Sequence, residues 1–146
     1  MTRTPDQFSE GCAEIRAALV AFSAIDADKP YRPGGWTRKE VLGHMLDSAA
    51  NNHQRFVRAA LEGRYVGPGY QQNSWVAIHG YADLPWEMLL ERWVITHRML
   101  EQVVARIPDD RLESMCVVGD DAPMTLQFLI EDYVAHQRHH LAQILS

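Results

Sequence analysis

The chain has 146 residues, 47% hydrophobic and 23% charged, enough for one domain with a sizeable core. Its net charge is −5 and its basic residues are dispersed, so no basic surplus exists to neutralise phosphates and a general nucleic-acid binder is excluded. No window approaches the apolar length that spans a bilayer, and no membrane partner is expected.

The opening MTRTPDQFSE has no apolar stretch after a charged start; no secretory signal is read there, and the cytoplasm is the expected compartment. A first amphipathic helix is predicted from about Pro5 to Ile25, with Phe8, Cys12, Ile15, Leu19 and Phe22 at steps of three and four. Cys12 and the distant Cys116 form no spaced motif and read as reduced thiols. Asp26 to Gly35, with Pro30, Pro33, Gly34 and Gly35, is a turn-rich break.

The second helix opens on Thr37 as N-cap, with Glu40 completing a capping box, and stops at Gly63. Gly63 to Asp83 forms a long connection holding a short helix around Ser74 to His79. Its length suits a lid, and Tyr70, Gln71, Gln72, Asn73 and Trp75 suit a small-molecule pocket, although the simpler reading is that Tyr70 and Trp75 anchor the loop onto the bundle. A third helix begins near Asp83-Leu84-Pro85 and ends before Pro108, with Trp86 and Trp93 in its core stripe. A fourth starts at about Thr125. Four amphipathic helices of similar length, with no repeat and no second domain over residues 1–146, predict an all-α fold, a four-helix bundle.

His136 and His140, at i and i+4, project from one side of the fourth helix and are able to share a metal ion. His44, on the second helix, would complete a three-histidine site with open positions, the catalytic rather than the closed pattern. His44 lies near the start of its helix and the pair near the end of theirs. All three share a level only if those helices are antiparallel, which requires an up-down-down-up order with the long crossover between helices 2 and 3; parallel helices would leave them roughly 10 Å apart in level. Leu129, Tyr133, His136, His140 and Ile144 read as one apolar stripe containing both histidines, with His139 facing solvent. On the residues alone, hydrogen-bonded histidines at a bundle seam explain the pattern about as well as a metal does.

Neutral imidazoles suit zinc, nickel, iron and copper alike. Such an ion would activate a bound water or a thiol. Asp47, one turn beyond His44, is a candidate catalytic residue, either orienting an imidazole or acting as a base; a plain surface carboxylate is the alternative. His53 lies off the site face, His97 reads as a hydrogen-bonded core histidine, and His79 sits in the connection.

WTRKEVLGHMLDSAANNHQRF, then GYQQNSW, then LIEDYVAHQRHHLAQI resemble the DinB-like superfamily of small metal-dependent four-helix proteins over nearly the whole chain from Trp36. The resemblance implies an up-down-down-up bundle and a homodimer. It also implies a divalent metal, commonly zinc or nickel, on His44, His136 and His140. Some relatives of this kind are transferases or isomerases dependent on a low-molecular-weight thiol; others are regarded as metal-dependent hydrolases. Such relatives often carry an acidic residue after the tyrosine, where Tyr70 is followed here by Gln71-Gln72-Asn73. The expected function is a metal-dependent enzyme acting on a small-molecule substrate, a thiol transferase or a hydrolase. A non-enzymatic ligand-binding protein and a metal-free structural bundle are the alternatives.

Overall fold

The computed structural model describes residues 3–146. Helix α1 spans Thr4–Ala21 and buries Phe8, Cys12, Ile15 and Leu19. It stops short of the predicted Ile25, which is exposed, because Phe22 turns extended and Ser23 accepts a hydrogen bond from Ile25 N to open a separate 3₁₀ turn over Ala24–Asp26. Helix α2 spans Arg38–Glu62. Its capping box is made in full: Thr37 Oγ1 accepts from Glu40 N at 3.1 Å, and Glu40 Oε1 accepts from Thr37 N at 3.0 Å. Gly63 ends it at φ 79°, a left-handed conformation that favours glycine.

The connection that follows carries regular structure over most of its length. Strand β1 spans Arg64–Gly67, and helix α3 spans Gln72–His79. Helix α4 covers Trp86–Arg106 and buries Trp86 and Trp93, as the stripe predicts. The segment after Pro108, between the third and fourth predicted helices, holds strand β2, Met115–Val118, and strand β3, Met124–Thr125. Thr125 caps helix α5, Leu126–Leu145, by accepting from Phe128 N at 3.1 Å.

The fold is therefore a bundle of four long helices with a short fifth and a small sheet, ordered β1-β2-β3, that periodicity does not announce. β1 pairs parallel with β2, Arg64 opposite Met115, and β2 pairs antiparallel with β3. The sheet thus gathers at one end of the bundle the C-terminal end of α2, the chain leaving α4 and the N-terminal end of α5. At the other end Arg38 Nε, in the first turn of α2, donates to the Ile144 carbonyl at 2.8 Å. α1 lies between α4 and α5: Phe8 packs near Tyr133, and Phe22 against Trp86.

The core falls into two apolar clusters, one around Phe8, Phe56 and Tyr133, the other around Ile15, Met45 and Trp93. Between them runs a polar seam. Trp93 Nε1 donates to Gln137 Oε1 at 3.0 Å, and Gln137 Nε2 donates to the Met45 carbonyl at 3.1 Å, tying α4, α5 and α2 together. Among the described residues no helix is long and apolar enough to cross a membrane.

Candidate metal centre and cavity

The capping box fixes where α2 begins, and so sets His44 in its second turn. His44 is 3% exposed. Its ring meets that of His140 edge-on, with centroids 4.5 Å apart, and Trp36 covers it from another side at 5.0 Å. Burial, reinforced by His140 and then His136, pushes the His44 pKa down to about 4, so its imidazole is neutral at physiological pH. Its Nδ1 is buried and, among the described residues, has no hydrogen-bond partner. Buried ring nitrogens are rarely left so.

His140 is half-buried. Its Nδ1 donates to Gln143 Oε1 at 2.9 Å, which leaves the lone pair on Nε2. Burial also lowers its pKa. His136 corrects the sequence expectation. It is not within the buried stripe: its side chain is 63% exposed, and Nδ1 lies 3.3 Å from Asp132 Oδ2. The buried position is taken by Gln137, one residue on. The inward face of α5 runs through Leu126, Ile130, Tyr133, Gln137 and Ile144, and a polar residue at its centre disguises it. His139 is exposed, as expected.

All three predicted histidines line one cavity of about 280 Å³. Ser48, Asn52 and Arg55 continue the His44 face along α2 and form one wall; Tyr70, Val118, Met124 and Tyr133 contribute others. Asp132 and Asp121 also border it. Among the described residues, no three His, Cys, Asp or Glu side chains are drawn together closely enough to hold one ion. The donor set nevertheless fits a divalent metal: three imidazoles border one cavity, one of them buried, uncharged and with an unused nitrogen.

Asp47 is displaced from its expected place beside the histidines. It is 2% exposed but does not border the cavity. Its Oδ1 accepts the Tyr81 hydroxyl at 2.6 Å and lies 3.4 Å from His79 Nδ1; its Oδ2 is buried and, among the described residues, has no hydrogen-bond partner. The imidazole that Asp47 meets is therefore His79, in the connection. Burial raises its pKa, opposed by the Tyr81 bond and by His79. Tyr81 reaches this carboxylate across Gly43, where any Cβ would collide with the tyrosine ring. Tyr70 and Trp75 pack edge-on with centroids 5.3 Å apart, so the two aromatics of the connection brace each other while Tyr70 also borders the cavity.

His97 behaves as the spacing predicts. Fully buried, it donates from Nδ1 to the Trp93 carbonyl at 2.8 Å and accepts the Tyr133 hydroxyl on Nε2 at 2.7 Å.

The family model described as the DinB superfamily matches residues 7–144. A protein of Geobacillus thermodenitrificans (strain NG80-2), provisionally named a metal-dependent hydrolase, is 30% identical over 135 residues, covering 90% of this chain and 75% of that one. A protein of Bacillus cereus (strain AH820) with the same provisional name is 29% identical over 133 residues, covering 91% and 76%. Among solved structures, YfiT from Bacillus subtilis, described provisionally as a metal-dependent hydrolase with an unusual four-helix bundle topology, superposes with a TM-score of 0.85 at 24% identity, covering 97% of this chain and 83% of that one. A mycothiol-dependent maleylpyruvate isomerase superposes with a TM-score of 0.79 at 12% identity; the match covers 97% of this chain and 59% of that one.

Proposed function

Because this chain belongs to the DinB superfamily, we propose that it is a metal-dependent enzyme acting on a small molecule, with a divalent ion, zinc or nickel, held by His44, His136 and His140. The single observation that carries this reading is the buried, neutral His44 ring with an unpartnered nitrogen, facing a cavity bordered by the other two histidines. The up-down-down-up order belongs to the same reading. It is supported by the Arg38–Ile144 contact at one end of α2 and α5, and by the sheet joining the C-terminal end of α2 to the N-terminal end of α5 at the other.

When bound, a divalent ion supplies Lewis-acid activation of a water or a low-molecular-weight thiol. The chain's own residues do the rest. Gln143 holds the His140 ring with Nε2 free. His136 Nδ1 lies 3.3 Å from Asp132 Oδ2, so that ring would have to turn from Asp132 to join the other two. Asp47 acts at one remove, as a positioning residue that anchors Tyr81 and His79 and with them the connection. The provisional names of the curated relatives support hydrolysis, and the isomerase neighbour supports a thiol cofactor. The two differ in whether turnover requires an added thiol.

The test is metal content by mass spectrometry of gel-filtered protein loaded with zinc or nickel, beside His44→Ala and His140→Ala. About one ion per chain is expected in the parent and none in either variant, with the helical circular-dichroism signal retained. A parent that takes up no ion, or variants that keep it, would refute the site.

A further inference from the structure

Arg55 is 7% exposed and borders the same cavity as His44. The two positions are three turns apart on α2, roughly 16 Å along the helix axis, so Arg55 stands at the far end of that wall. Its guanidinium makes two protein contacts, both with neutral groups: Nη1 donates to Asn52 Oδ1 at 3.4 Å and Nη2 to the Pro68 carbonyl at 3.2 Å. Among the described residues no carboxylate pairs with it. Of the two acids that border the cavity, Asp132 lies against His136, and Asp121 is exposed.

A guanidinium stays charged at any physiological pH, and burying one without a counter-ion is costly. Tying α2 to the Pro68 carbonyl requires one neutral donor, which an amide would supply. The charge is surplus to that role. Resting on the metal-dependent reading above, we propose that the substrate is an elongated small molecule carrying a carboxylate, and that Arg55 binds that carboxylate at the end of the cavity remote from His44. The planar fork of N–H donors matches the two oxygens of a carboxylate. The size of the cavity, about 280 Å³, admits a small metabolite rather than a polymer. Arg55 would set the distance from the anionic end of the substrate to its reacting atom and would select against neutral analogues, whose binding leaves the guanidinium unpaired.

The experiment uses the metal-stripped protein, so that failure of the three-histidine site and failure of this one are read separately. Succinate, succinamide and inorganic phosphate are titrated while the Arg55 Nε–H resonance is followed by NMR, with affinities from calorimetry. Succinate is expected to move the Arg55 resonance and succinamide not to; phosphate should bind more weakly than succinate. Arg55→Gln should weaken succinate binding by about tenfold or more, and Arg55→Lys should restore only part of it. The proposal is overturned if the Arg55 resonance of the parent stays fixed in succinate, if succinamide or phosphate binds as well as succinate, or if Arg55→Gln binds within about twofold of the parent. Should Arg55→Gln fail to fold, the resonance of the unaltered protein decides.

Discussion

His136 and His140 stand out in the sequence by their i, i+4 spacing and His44 as a candidate third, and of these the rings of His44 and His140 meet. Residues that support them do not stand out. Gln137 and Arg55 carry no motif; each takes its meaning from what lies opposite on another element. His136 was misread for a related reason: two stripes one residue apart both fit the helical repeat, and only packing decides between them. Tyr81 gives a residue-scale prediction. Tyr81→Phe removes the hydroxyl that Asp47 accepts at 2.6 Å and leaves a buried carboxylate poorly solvated. A loss of about 1–3 kcal/mol in urea unfolding is expected, with metal content unchanged. Loss of the ion in that variant would show that Asp47 works at the metal after all.

Among the elements, the joint between α2 and α5 matters most. Gln137 bonds to the carbonyl of Met45, the neighbour of His44, and sits between His136 and His140 on its own helix. That one side chain sets the register in which the histidines face each other. Gln137→Leu keeps the volume but strands the Trp93 indole N–H and frees α5 to slide. A cost of about 1–3 kcal/mol and metal binding weaker by about tenfold are expected from unfolding and competition titrations. His139→Ala should change neither. Tight metal binding in Gln137→Leu would mean that the sheet and Arg38 hold the register unaided. The long helices were readable from caps and apolar stripes. The strands were not, because four residues of RYVG or MCVV are too few to show a period of two and their pairing partners lie far along the chain.

For the molecule as a whole, buried neutral histidines impose a pH dependence. Burial pushes His97 down from 6.5 to about 4, and His44 moves the same way. Between those values the unfolded chain binds protons at these residues that the folded chain refuses, so their contribution to stability is complete above about pH 6.5 and declines as pH falls towards about 4. A thermal midpoint that falls across this window is expected in metal-free protein, with the His97 imidazole NMR signals still those of the neutral ring near the middle of it. A His97 ring already protonated there would contradict this account.

The three-stranded sheet has a consequence in time as well as in space. α1, α2, α4 and α5 each form from local hydrogen bonds, but β1 and β2 pair across the whole length of α4. Contacts between segments so distant in sequence close slowly. Val118 and Gly69, at the margins of these strands, form part of the cavity wall beside Arg55. His44 and His140 are farther apart in sequence than the paired residues of β1 and β2, so the histidine seam and the pocket wall both depend on long-range closure, and neither exists until the chain has folded back on itself.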